Sequence, residues 1–147
     1  MFKNKKSHLT KNIIINKLNI NAKNGFLDIS VFSEDNDPIE GAQVSVYYYV
    51  VRGVYGESAT ENEIVSYITD ENGKIPLIEL PVIHEFGNLV ENIDEYHMRV
   101  DAPGYYSVIV MNIEIFAGTT TDYNVTLTPI TDGGSSYVRF IIIPERH

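Results

Sequence analysis

The sequence predicts an all-β fold: a Greek-key antiparallel β-sandwich of about seven strands, with additional β arms at both termini. Short β-prone runs bounded by Gly, Pro, Asn and Asp recur between residues 25 and 130, whereas helical periodicity is scarce. In the first run, Leu27, Ile29 and Val31 alternate with polar residues, as in a strand with one buried face. With 147 residues and 44% hydrophobic content, the chain is large enough to bury one sizeable core.

The chain divides into three parts by this pattern. Residues 1–24 are expected to form an N-terminal arm, residues 25–130 the sandwich, and residues 131–147 a linker and a C-terminal β arm. The linker contains Gly and Ser residues at positions 133–136, a composition typical of flexible connections. A single domain with two appended arms is therefore predicted.

Two elements within the sandwich carry specific expectations. A second strand begins at Ala42, and its alternation places Tyr47 and Tyr49 on the face opposite the core. Residues 64–69 and 75–80 flank a short turn that ends in Gly73, so we expect them to pair as a hairpin with Gly73 at positive φ.

Composition and charge exclude several classes of partner. The net charge of -9 and the pI near 4.8 oppose binding to nucleic acid or to an anionic membrane, so neither is expected as a partner. No apolar run approaches the roughly 20 residues of a membrane-spanning helix, and the basic amino terminus lacks the apolar segment of a signal peptide. The chain has no cysteine, which excludes disulfides and thiolate metal sites.

The residues that could carry catalysis are sparse. The acidic turns at residues 34–37 and 70–72 lack the spaced ligands of a calcium loop, so we expect no metal and no cofactor. No nucleophile is paired with a base in the sequence, which predicts a chain without enzymatic activity. The histidines show no metal-ligand spacing and are interpreted as surface or loop residues: His8, His84, His97 and His147.

Four segments together resemble one known family. They are residues 25–31, 38–46, 69–75 and 96–105. In this order they are similar to the carboxypeptidase regulatory-like, transthyretin-like domain family over about residues 25–130. Residues 69–81, 115–120 and 125–130 also resemble modules of clostridial-type cell-wall and spore-associated proteins. The resemblance implies a β-sandwich that acts as a scaffold or as a module on a carbohydrate surface.

The candidate interface residues fall into three groups. Exposed tyrosines offer an apolar face with a polar tip, which suits a sugar ring or a protein partner. The β-prone terminal arms would pair either within their own domain or with a neighbouring copy, and we expect donation to a neighbour for the carboxyl-terminal arm. The residues are Tyr47, Tyr49 and Tyr55 in the first group, Ile13, Ile14 and Ile15 in the second, and Val138, Phe140 and Ile142 in the third.

These observations lead to two hypotheses about function. The first is a non-enzymatic structural subunit of a bacterial extracellular, spore-surface or phage-like assembly. Such a subunit would form a homo-oligomer or polymer by strand addition through its terminal β arms. The alternative is an accessory module that binds glycan or peptidoglycan, with a cell-wall glycan as its ligand. Both place the protein at a cell or spore surface or in a virion-like particle, without a conventional signal peptide.

Overall fold

The computed structural model describes residues 23–52, 58–82, 91–93, 96–131 and 138–143. Within these residues the chain forms nine strands and no helix. The strands are β1 (Asn24–Ser33), β2 (Gln43–Arg52), β3 (Ser58–Ile68), β4 (Ile78–Pro81), β5 (Glu91–Ile93), β6 (Tyr96–Asp101), β7 (Ser107–Ile113), β8 (Thr120–Leu127) and β9 (Val138–Ile142).

The strands form two sheets, which confirms the predicted all-β sandwich. One sheet has three strands in the order β4-β1-β8. The other has six, with the order β3-β2-β6-β7-β9 and β5 paired to the end of β2. Two pairs, β1 with β8 and β7 with β9, are parallel, so the sheets are mixed rather than antiparallel throughout. Alternation along one strand does not encode the direction of its neighbour, which is why the sequence did not indicate these pairs.

The core fills the space between the two sheets. The alternation expected for the first strand is confirmed, because Leu27, Ile29 and Val31 of β1 are fully buried. Burial of one such side chain contributes about 1.5–3 kcal/mol. The facing sheet supplies equally buried side chains from β2, β6 and β7: Val44, Val46, Met98, Val100, Val108 and Val110.

Tyr96 joins the two sheets directly. Its ring is buried, and its hydroxyl donates a 2.6 Å hydrogen bond to the carbonyl oxygen of Pro81 in β4. Burial, with a smaller contribution from Tyr48, raises the pKa of Tyr96 far above its usual range. The phenol therefore stays protonated and keeps its role as a donor between β6 and β4.

The connection from β3 to β4 differs from the predicted hairpin. The hairpin prediction is wrong, since β3 pairs with β2 and β4 pairs with β1, in different sheets. The turn itself is present: the Gly73 amide donates to the Asp70 carbonyl at 2.9 Å, and Gly73 has a φ of 72°, which confirms the expected positive φ. A turn signal marks where the chain reverses, but it does not specify which strands pair.

Thr69 fixes this crossover to the turn that precedes β2. Its hydroxyl donates to the Ile39 carbonyl at 2.6 Å and accepts from the Ala42 amide at 2.9 Å. Thr69 is buried, so both backbone groups are satisfied out of contact with water. The crossover and the turn before β2 therefore form one packed unit.

Replacement of Gly73 by Ala should destabilise the fold more than the same change at Gly104. Both glycines have positive φ, and alanine there costs about 1 kcal/mol. A Cβ at Gly73 would lie 2.4 Å from the Val31 carbonyl oxygen, whereas a Cβ at Gly104 meets nothing within 4 Å. We expect Gly73→Ala to lose about 1–3 kcal/mol more than Gly104→Ala, measured by urea unfolding. Equal losses would contradict the close packing of Gly73 on β1.

Candidate functional site

The candidate site lies on the side of the six-stranded sheet that faces away from the core, here called the outer face. Strand register aligns its side chains in rows across β2, β6, β7 and β9. Ser45 is opposite Arg99, Arg99 is opposite Ile109, and Ile109 is opposite Phe140. In the adjacent row, Tyr47 is opposite His97. Residues far apart in sequence thus become neighbours on one surface.

His97 is the centre of the outer face. Its ring stacks on Tyr49, with ring centroids 4.4 Å apart, and on Tyr47, with centroids 5.2 Å apart. These contacts leave His97 only 4% exposed. The interpretation of His97 as a surface or loop residue is therefore wrong. The burial of His97 comes from tyrosines of the neighbouring strand, and no pattern within residues 96–101 indicates it.

The two ring nitrogens of His97 have different surroundings. Nε2 lies 3.0 Å from the Glu61 carboxylate, whereas Nδ1 is buried and has no hydrogen-bond partner among the described residues. Because a carboxylate only accepts hydrogen bonds, the proton of the neutral ring lies on Nε2. The Glu61 contact thus fixes both the tautomer and the orientation of the ring.

A groove with a volume of about 270 Å³ opens beside this aromatic cluster. Phe140 of β9 closes one side of it, and Tyr47 and Tyr49 of β2 also line it. The groove combines aromatic faces, apolar side chains and charged groups, which is the composition of a site for a ligand with both apolar and polar parts. Its other lining residues include Glu61, Arg99, Ile109 and Met111.

Arg99 belongs to a hydrogen-bonded cluster at the edge of the groove. Its Nε donates to Asp101 at 2.8 Å, and the Ser107 hydroxyl donates to the other carboxylate oxygen of Asp101. Burial raises the pKa of Asp101, but hydrogen bonds from Arg99 and Ser107 outweigh it and hold that pKa below its usual range. The hydrogen bond to Asp101 also raises the pKa of Arg99, so the cluster is an ion pair at neutral pH.

The Asp101→Asn variant should be less stable than the native chain at pH 7. The folded-state pKa of Asp101 is depressed, so its contribution is present above the unfolded value of about 3.9 and is lost as pH falls through the folded value. The group is partly exposed, so we expect a loss of no more than about 1 kcal/mol. Urea unfolding at pH 7 and at pH 2 measures the free energy of unfolding of the native chain and of the variant. The difference between them should be present at pH 7 and lost at pH 2. Asp35→Asn, a change at an exposed turn residue, is the control. A stability difference between the native chain and Asp101→Asn that grows at low pH would contradict the assignment.

The structure brings together only part of the predicted interface. Tyr47, Tyr49 and Phe140 meet in the groove. Val138 and Ile142 alternate with the inward positions of β9 and lie on the same side as Phe140. The remaining predicted residues, Ile13, Ile14, Ile15 and Tyr55, lie outside the described part of the chain.

The carboxyl-terminal arm pairs within its own chain. β9 lies parallel to β7, with Ser107 opposite Val138 and Met111 opposite Ile142. The expectation that this arm is donated to a neighbour is therefore wrong for this structure. The β-propensity of the segment predicted a paired strand, but propensity does not specify whether the partner belongs to the same chain.

The described residues contain neither a membrane-spanning helix nor a cluster of metal-ligating side chains. No helix there is long and apolar enough to span a membrane. No group of three or more His, Cys, Asp or Glu side chains in the same part of the chain is placed to hold a metal ion.

Comparisons with known proteins give matches only among solved structures. No protein-family model and no curated protein matches the sequence. A mutant of catechol 1,2-dioxygenase from Acinetobacter radioresistens matches with a TM-score of 0.50 and 15% identity, over 84% of this chain and 58% of that chain. Hydroxyquinol 1,2-dioxygenase from Pseudomonas putida gives a TM-score of 0.49 and 10% identity, over 76% and 58%. The minor pilin GBS52 of Streptococcus agalactiae gives 0.42 and 14%, over 85% and 49%.

These matches bear on the expected family and on the expectation of no enzymatic activity. The chain spans less than two thirds of the length of these proteins. At 15% identity, the likeness to the catechol 1,2-dioxygenase shows a shared β-rich fold alone. It does not confirm a transthyretin-like family. The prediction that the chain has no enzymatic activity is contradicted, because the fold it shares at a TM-score of 0.50 is that of an enzyme.

Proposed function

We propose that this chain is a structural subunit that self-associates through the exposed edge of β9. One observation carries the proposal: β9 is the end strand of its sheet, and Phe140 and Ile142 are each 63% exposed. No described strand pairs with the far edge of β9. An edge strand with unpaired backbone groups and exposed apolar side chains is a template for strand addition.

The two faces of β9 have different roles in this proposal. Ile141 and Ile143 pack against the core, which holds β9 in its own sheet. Phe140 and Ile142 alternate with them and remain on the outer face, next to the groove. β9 is therefore held firmly by its own chain and still presents an apolar surface. Self-association would occur by addition to β9 and would not require that β9 leave its sheet.

A second copy of this chain is the partner that fits this edge. Antiparallel pairing of β9 with β9 of another copy is self-complementary, as a two-fold interface requires. It would pair both sets of free backbone groups and continue one six-stranded sheet into the next. It would also remove Phe140 and Ile142 from water, and burial of each such side chain contributes about 1.5–3 kcal/mol.

Only the sequence supports a particular cellular location for such an assembly. The likeness of residues 69–81, 115–120 and 125–130 to clostridial-type cell-wall and spore-associated modules supports a bacterial extracellular, spore-surface or phage-like assembly. The division into an N-terminal arm at residues 1–24, a sandwich at residues 25–130 and a linker with a β arm at residues 131–147 belongs to the same proposal.

The groove on the outer face supports a second candidate function, the binding of a cell-wall glycan. Tyr47 and Tyr49 offer aromatic rings against which a sugar ring could stack, and Glu61 and Arg99 offer hydrogen-bonding groups around them. A groove of about 270 Å³ suits a small ligand such as a sugar more than an extended protein segment.

The double variant Phe140→Lys and Ile142→Lys tests the assembly proposal. Placing like charges on a strand that pairs with itself should weaken self-association at least tenfold, because it removes apolar contacts and adds repulsion. Analytical ultracentrifugation over a concentration series measures the effect. Leu77→Lys is the matched control, since Leu77 is 53% exposed and lies outside β9. A native chain that remains monomeric at millimolar concentration would overturn the proposal.

The variants Tyr47→Ala and Tyr49→Ala test the glycan candidate. We expect each to weaken binding of soluble peptidoglycan fragments about tenfold, because one aromatic contact is lost. Isothermal titration calorimetry with purified fragments provides the measurement. Tyr105→Ala, which changes a tyrosine that does not line the groove, should bind as the native chain does. If the native chain shows no heat of binding, the glycan candidate fails and the assembly proposal is unaffected.

A further inference from the structure

A second cleft, of about 290 Å³, lies between the start of β8 and the segment that follows β7, and is here called the edge cleft. Apolar and aromatic side chains form much of its lining: Ile113, Phe116, Tyr123 and Ile143. Pockets that hold drug-sized ligands have volumes of about 300–1,000 Å³, so an occupant of this cleft is a small molecule. The edge cleft is separate from the groove on the outer face, because the two share no lining residue.

Hydrogen bonds hold the residues around the edge cleft in place. The Ile143 amide donates to the Met111 carbonyl at 3.1 Å, and the Asn112 side-chain amide donates to the Ile143 carbonyl at 3.2 Å. Asn112 has a φ of 61°, a left-handed conformation that asparagine adopts more readily than most residues. The Thr121 hydroxyl donates to the Glu114 carbonyl at 3.4 Å, which connects β8 to the segment after β7. A ligand would therefore enter a cleft whose shape is already fixed, and little ordering would oppose its binding.

The charged groups of the edge cleft are acidic. Glu114 and Asp122 line it, and none of the described residues that line it is basic. Glu114 is partly buried whereas Asp122 is exposed, so Glu114 is the better placed to contact a ligand inside the cleft. No ion pair within the described part of the chain involves either carboxylate. Burial raises the pKa of Tyr123, so its hydroxyl stays protonated at pH 7 and adds no negative charge.

An unpaired carboxylate beside aromatic rings is an environment that favours an organic cation. The Glu114 carboxylate can accept charge-assisted hydrogen bonds from an ammonium group. The rings of Phe116 and Tyr123 attract positive charge through their faces. Phe116 is 45% exposed, so the apolar body of a ligand would remove part of its ring from water. The net charge of -9 adds a field that attracts cations and repels anions.

We infer that the edge cleft binds a small amine with an aromatic or apolar body, with its ammonium group at Glu114 and its body against Phe116 and Tyr123. A neutral molecule of the same shape would keep the apolar contacts and lose the ion pair. A carboxylate of similar size would be repelled by Glu114. The site is independent of the self-association proposed at β9 and of the glycan candidate, because no residue that lines the edge cleft belongs to β9 or to the groove.

Three probes that differ in charge test the inference on the native full chain. They are 2-phenylethylamine, 2-phenylethanol and 3-phenylpropionate, titrated at pH 7 while amide NMR spectra are recorded. We expect the amine to bind at least about tenfold more tightly than the alcohol, and the carboxylate to give no saturable shift. The shifts caused by the amine should lie at Glu114, Phe116 and Tyr123. No saturable shift with the amine, equal affinity for amine and alcohol, or shifts confined to Tyr47 and His97 would overturn the inference.

Variants of the edge cleft separate the ion pair from the apolar contacts. Glu114→Gln keeps the shape of the side chain and removes its charge, so it should lower the affinity for the amine about tenfold, to that for the alcohol. Phe116→Ala should weaken both probes. Glu40→Gln is the matched control, since Glu40 is exposed and lies outside the cleft, and it should bind the amine as the native chain does. Unchanged affinity for the amine in Glu114→Gln would overturn the inference. The probe comparison on the native chain decides the matter even if a variant does not fold.

Discussion

The passage of the chain from one sheet to the other at residues 69–74 is the constraint on which the sandwich depends. The Val31 amide of β1 donates to the Gly73 carbonyl at 2.8 Å, and the buried Thr69 hydroxyl bridges Ile39 and Ala42. These bonds connect the end of β3, the start of β2 and the middle of β1. The distance and orientation of the two sheets are therefore fixed by backbone groups whose burial leaves them no water to bond instead.

This crossover also determines which strand edges remain free. Because β4 joins β1 on one side, β8 becomes the end strand on the other side. In the second sheet, β3 closes one end and β9 the other. Each sheet of the described residues therefore has two end strands, β4 and β8 in one and β3 and β9 in the other. The edge of β9, to which we assign assembly, is thus a consequence of topology, and its exposed apolar side chains suit it to strand addition.

The outer face illustrates that the fold of this chain does not by itself indicate its function. A dioxygenase shares the β-rich architecture at a TM-score of 0.50, and the architecture by itself does not indicate a reaction or a ligand. The chemical properties specific to this chain come from side chains on the outer face of the six-stranded sheet. His97 is held between stacking contacts with Tyr47 and Tyr49 and its contact with Glu61. These groups lie on three strands, and only sheet register brings them together.

The sequence by itself determined the strand faces, because alternation with a period of two is a local property. It placed Leu27, Ile29 and Val31 inside and Tyr47 and Tyr49 outside, and it identified the positive φ of Gly73. Only the tertiary structure decided the partners of each strand: β3 with β2, β8 parallel to β1, and β9 parallel to β7. The burial of His97 was likewise undetermined by sequence. Strand pairing and burial are set by contacts between distant residues, and no local pattern in one strand specifies them.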